Sequence, residues 1–192
     1  MDIVMCGVGG QGTVLASRVL GQVAINSSWE VRTSEIIGMA QRGGSVVSQV
    51  RIGNNLTGPL IPDGAADFLI GFELAEAIRN LNKLAPKGKV LINTQKVVPP
   101  SVYLGTSSYD EDLLIKFLKD NIPEVVLIDA MELARQAGNV KTVSAVMLGA
   151  FAAMCTELDA DIILRELVAK LPDQLKDINT RAFNLGKEYV EG

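Results

Sequence analysis

Histidine is absent from all 192 residues. It is the usual general base near neutral pH, so Ser-His-Asp and Cys-His hydrolases are excluded. Cysteine is almost absent as well: Cys6 and Cys155 stand alone, with no CxxC and no Cys/His cluster. The chain itself supplies neither a zinc site nor the ligands of an iron–sulfur cluster. Two isolated thiols make no disulfide framework and suit a reducing cytoplasm. Positive charge is short too, with 18 Lys and Arg against 22 Asp and Glu, a net charge of -4 and a pI near 4.9. Such a chain is a poor non-specific binder of nucleic acid or of anionic membranes. The longest apolar stretch, Val143 to Cys155, is too short to cross a bilayer. The N-terminus lacks the basic region and long apolar run of a secretory signal.

What is present is an apolar chain, 48% hydrophobic and 21% charged, which suits one sizeable domain spanning 1–192. Short buried strands are expected at Asp2–Cys6, Trp29–Thr33, Ala66–Phe72, Lys89–Thr94 and Val125–Asp129. Ser45–Ile52 alternates apolar and polar residues, the period of a half-exposed strand that would run antiparallel near an edge. Helices are expected at 11–26, 73–84, 110–121, 130–137, 142–156, 161–171 and 173–190. Pro86 and Gly88 would end the second of these, and Gly138-Asn139 would cap the helix at 130–137. Residues 34–44 match no regular element, 53–65 read as a long turn-rich loop, and the prolines of 97–105 keep that stretch extended. Strands alternating with helices predict an α/β three-layer sandwich with a mainly parallel central sheet.

The chemistry gathers in two loops. Gly7, Gly9 and Gly12 fit G-x-G-x-x-G between a predicted strand and a predicted helix, with Val8, Gly10 and Gln11 completing GVGGQG. Glycines let backbone approach a ligand closely, and a helix N-terminus offers free N–H groups to a phosphate. Walker A chemistry is missing, because no Lys-Ser/Thr follows. A Rossmann nucleotide site would add an acid at the end of the second strand, where Glu35 stands. A glycine-rich turn with no ligand fits the same residues. In SEIIGMAQRGG, Arg42 is flanked by Gln41 and Gly43, which suits an anion or a partner contact and equally a solvated turn. Ser34 and Glu35 fit a ligand contact or a turn cap. Asn93, Thr94 and Asp129 lie at strand ends, where α/β sheets place ligands. Asn139 reads first as a cap, Cys6 and Cys155 as small buried residues, and Met39 and Met131 as core or interface.

Together GVGGQG and SEIIGMAQRGGSVVSQVRIG resemble the gamma-type subunit of the thiamine-diphosphate-dependent 2-oxoacid:ferredoxin oxidoreductases, most closely the small (beta) subunit of its indolepyruvate branch. PLIPDGAADFLIGFELAEAIR, KGKVLINT, VVLIDAMELARQAGN and NTRAFNLGKEYV follow in the family's order, so nearly the whole chain is covered. Ile37 departs from the pattern, standing where E-x-H-G-M-A-Q-R-G-G has histidine. The resemblance implies oxidative decarboxylation of an arylpyruvate to an acyl-CoA and carbon dioxide, with electrons passing to ferredoxin. It places thiamine diphosphate and the iron–sulfur clusters in a larger partner subunit. For this chain it implies a share of the coenzyme A site, built from the glycine loop and Arg42, and no activity alone. An autonomous Rossmann-type NAD(P)- or flavin-dependent oxidoreductase, the gamma subunit of a pyruvate or ketoisovalerate enzyme and a pure nucleotide-binding module are the competing readings.

Overall fold

The computed structural model describes residues 1–38, 43–98, 102, 105 and 109–192. The expectations for Met39, Gln41 and Arg42, and for much of 97–105, lie outside the described residues. Six strands form one sheet: β1 Asp2–Val8, β2 Glu30–Ile37, β3 Ser45–Gly53, β4 Ala66–Gly71, β5 Leu84–Asn93 and β6 Val125–Ile128, in the order β2-β3-β1-β4-β5-β6. From β1 through β4 and β5 to β6 the pairing is parallel, while β3 runs antiparallel to both β1 and β2. The sheet is therefore mostly parallel, with the alternating strand one place in from the edge.

Side chains alternate across the sheet with a period of two. Ile3, Met5, Phe68, Ile70 and Leu91 face one cluster, whereas Cys6, Leu69, Val90 and Ile92 face another. The first cluster is closed by helices α1 (Thr13–Asn26), α4 (Ala130–Ala137), α5 (Val143–Met154), α6 (Ala160–Ala169) and α7 (Asp173–Glu191). The second is closed by α2 (Leu74–Arg79) and α3 (Glu111–Asn121). Helices cover both faces, which gives the expected three layers. Phe68 meets Phe151 edge to face, with centroids 5.1 Å apart. The helices α5 and α7 cross backbone to backbone: a Cβ on Gly149 would lie 1.9 Å from the Phe183 carbonyl oxygen.

Three local expectations are corrected. Residues 34–37 do not leave the sheet; β2 runs on to Ile37, pairing Ser34 with Gln49 and Ile37 with Val46. The strand is held by a distant partner, and SEII lacks the alternation that would reveal it. The helix expected at 73–84 ends at Arg79, and a 3-10 turn at Leu81–Lys83 leads into β5. Pro86 and Gly88 lie inside β5, where register shifts between the Ala66–Leu84 and Phe68–Lys89 pairs. A bulge of this kind admits proline, which has no N–H for the ladder.

Candidate functional site at the carboxyl ends of the strands

The helix after β1 covers one face of the sheet and the helix after β4 covers the other. Because β1 and β4 are neighbours, the chain parts there in opposite directions and leaves the crevice in which α/β sheets bind ligands. The glycine loop lies on this edge. Gly7 and Val8 close β1, and Gly10 (φ 98) and Gly12 (φ 93) take left-handed backbone that other residues adopt only with strain. A Cβ at Gly10 would meet nothing within 4 Å, so that side of the loop is open. Gln11 folds back, its Oε1 accepting a 2.7 Å hydrogen bond from the Val8 N–H. Its Nε2 is buried with no hydrogen-bond partner among the described residues.

Gly12 abuts Ser144 at the start of α5, where an added Cβ would come within 2.8 Å of the serine Cβ. Two helix N-termini therefore lie side by side. Neither α1 nor α5 has a side-chain cap or an acidic residue in its first turn. Elsewhere Glu73, Asp110, Asp129 and Asp159 cap α2, α3, α4 and α6, each with an acid in its first turn, and α7 has the acid Asp173 without a side-chain cap. α1 thus presents an uncapped positive dipole end, while α5 is entered through a 3-10 turn, Val140–Thr142, capped by the Asn139 side chain. In front of them is a cavity of about 400 Å³ lined by Gly10, Gln11, Gln95, Met131, Val140, Lys141 and Val143. Lys141, exposed on its rim, was not singled out from sequence; the available signal was a cation just before an acid-free helix start.

The second loop meets the first. Gly9 N–H donates to the Gly44 carbonyl at 2.9 Å, and Gly43 (φ 71) has open space where a side chain would be. Ser34 and Glu35 sit in β2 opposite Gln49 and Ser48. Glu35 lies 3.8 Å from Arg18 and lines a separate groove with Thr33 and Lys170. That groove does not share a lining residue with the cavity at Gly10, so a Rossmann pairing of loop and acid is not formed there. Asn93 is buried and engaged at both ends: Nδ2 donates to Phe72 O at 3.1 Å, and Oδ1 accepts from Ala130 N–H at 3.1 Å. Thr94 turns inward as well, its N–H donating to Ile128 O at 2.9 Å. Asp129 caps α4, and Gly138-Asn139 closes that helix as expected, the Asn139 N–H donating to Ala134 O at 3.0 Å, while the Asn139 side chain caps the next turn by accepting from the Lys141 N–H at 2.9 Å. Met131 borders the cavity and also packs on the core. Ile37 is 63% exposed at the end of β2.

The two thiols are buried. Burial, then the charges of Glu76 and Glu73, pushes the Cys6 thiol far above its ordinary range. Burial pushes Cys155 up to about 11. No helix is long and apolar enough to cross a membrane among the described residues.

The chain matches the pyruvate ferredoxin/flavodoxin oxidoreductase family over residues 2–189. It is 38% identical to the indolepyruvate oxidoreductase subunit IorB of Methanothermobacter thermautotrophicus, over 96% of this chain and 95% of that one. The fold is shared with the gamma subunit of a keto/oxoacid ferredoxin oxidoreductase from Geobacter sulfurreducens, at a TM-score of 0.72 and 20% identity, over 99% of this chain and 98% of that one. It is shared also with the 2-oxoglutarate:ferredoxin oxidoreductase of Magnetococcus marinus, solved with 2-oxoglutarate, coenzyme A and succinyl-CoA bound. There the TM-score is 0.75 at 18% identity, and the match takes in all of this chain but 31% of that one. By the match to its family and the likeness to IorB over nearly the full length of both chains, this protein belongs to the pyruvate ferredoxin/flavodoxin oxidoreductase family.

Proposed function

We propose that the chain is the small, non-autonomous subunit of a cytoplasmic 2-oxoacid:ferredoxin oxidoreductase acting on arylpyruvates, indolepyruvate foremost. In this reading it helps form the coenzyme A site. The observation that carries the site is the uncapped N-terminus of α1 beside an open glycine loop, with the start of α5 packed against it. The backbone N–H groups of Gly10 and Gly12 suit a pyrophosphate, the Gly9 and Gln11 N–H groups being spent within the loops, and Lys141 adds a charge at the rim. Gly43 gives the second loop room, and Gln41 and Arg42 would bring a further donor and a forked phosphate contact. Asn93 and Thr94 brace the wall of the crevice rather than reach into it.

Coenzyme A supplies the thiol that takes over the acyl group. Thiamine diphosphate and the iron–sulfur clusters would belong to the large subunit, since two separated buried cysteines ligate no cluster. What this chain's residues do is bind and orient: they hold phosphates and complete a site that the large subunit finishes. The name of the IorB relative supports the arylpyruvate assignment, and the coenzyme A-bound neighbour supports the choice of cofactor.

The test uses the purified two-subunit complex. Arg42→Ala and Gly10→Val should each raise the KM for coenzyme A while leaving the KM for the 2-oxoacid in place. Normal saturation by coenzyme A in both variants, with the complex intact, would remove the site from this chain.

A further inference from the structure

The first turn of α2 buries two carboxylates, Glu73 at 1% and Glu76 at 4% exposure. Placing such groups out of water is costly unless every oxygen is engaged. A cap alone does not require this. The other side-chain caps here, on α3, α4 and α6, are short aspartates, which reach one or two N–H groups of their own helix. Glu73 does that work with one oxygen, accepting from Glu76 N–H at 2.9 Å. Its other oxygen accepts from the Tyr109 hydroxyl at 2.7 Å, 36 residues away. Glu76 pairs with Arg79 through one oxygen and accepts from the Ser45 hydroxyl at 2.6 Å through the other.

Ser45 and Tyr109 stand at the starts of two later elements, β3 and α3. Ser45 opens β3 directly after Gly43 and Gly44, and its carbonyl also accepts from Gly38 N–H at 2.8 Å. Tyr109 stands one residue before the Asp110 cap of α3. The Gly44 carbonyl, next to Ser45, is in turn the acceptor for the glycine loop's Gly9 N–H. A continuous line of hydrogen bonds thus runs from the glycine loop through Gly44 and Ser45 to Glu76, then through the turn of α2 to Glu73 and Tyr109. Burial, with the bond to Glu73 second, drives the Tyr109 hydroxyl well above its ordinary pKa, so it stays a donor. The Lys96 ammonium lies 5.2 Å from the centre of the same ring.

We infer that Glu73 and Glu76 are positioning residues that hold Tyr109 and the Gly44–Ser45 backbone in register with the glycine loop, so that the coenzyme A site is preformed. The inference rests on the coenzyme A reading above. It assigns a role in that site to two acids that touch no ligand. Rigid second contacts of this kind matter because a loop that must be ordered on binding weakens affinity by the cost of ordering it.

The decisive variants remove the donors and leave the carboxylates in place. In the purified complex, Ser45→Ala and Tyr109→Phe should each raise the KM for coenzyme A about three- to tenfold, with kcat and the KM for the 2-oxoacid unchanged. Ser45→Thr keeps the hydroxyl and should restore the ordinary KM. A role confined to folding would lower the melting temperature of Ser45→Ala and Tyr109→Phe and leave that KM where it was. An unchanged KM in both, with Gly10→Val still raising it, overturns the positioning role and leaves the coenzyme A site standing. An unchanged KM in all three overturns both.

Discussion

Replacing Asn93 by alanine removes one amide that two buried backbone groups share. Its Nδ2 satisfies the Phe72 carbonyl beyond β4, and its Oδ1 satisfies the Ala130 N–H at the start of α4. Asn93 itself is wholly buried, so water does not replace either bond. Each orphaned group costs about 1–3 kcal/mol, so the variant should lose about 2–6 kcal/mol, much of the ~5–15 kcal/mol that holds an ordinary domain. Urea denaturation of the purified chain, followed by far-ultraviolet circular dichroism, reads this directly. Asn93→Asp sharpens the test. Its carboxyl still accepts from Ala130 N–H, but it faces the Phe72 carbonyl with oxygen unless it is protonated. Its pKa in the folded chain then lies above the unfolded value, so the folded state binds more protons. The deficit of Asn93→Asp relative to wild type should therefore shrink as pH falls through that raised pKa and be largest above it. Loss of less than about 1 kcal/mol in Asn93→Ala would refute the brace. So would a normal melting curve with a raised KM for coenzyme A, which would place Asn93 on the ligand.

Gly149→Ala should destabilise the chain by about 3 kcal/mol or more, because its Cβ would collide with the Phe183 carbonyl in a backbone-to-backbone crossing that cannot yield cheaply; a melting temperature within a degree or two of wild type would contradict that. Both thiols should resist Ellman's reagent at pH 8 in the folded chain and react in urea, since burial raises Cys6 and holds Cys155 near 11. A fast-reacting thiol in the native chain would show an opening not seen here. Lys141→Glu, on the exposed rim of the cavity, should raise the KM for coenzyme A severalfold and lose that effect as salt is added. An unchanged KM would move the phosphates away from this crevice.

Signals carried within a few residues were legible in the sequence. The glycine loop and the Gly138-Asn139 stop follow from local backbone needs, and each falls where the pattern puts it. Position at a strand end also marked out Asn93, but what its amide does depends on Phe72 and Ala130, 21 and 37 residues away. The same limit hid the last half of β2, which is strand because Val46 to Gln49 pair with it. Pro86 read as a helix stop because the bulge that admits it exists only against β4. Glu73 and Glu76 carry no signal of their own in the sequence, because their reach to Tyr109 and Ser45 is a product of tertiary structure alone.

The most direct test of the account is coenzyme A-dependent reduction of a viologen dye with indolepyruvate as substrate. The assay compares this chain alone, its large partner subunit alone, and the two co-expressed and purified together. The account predicts activity in the co-expressed sample and none in either chain by itself. Turnover by this chain alone, or full coenzyme A-dependent turnover by the large subunit without it, would contradict the account.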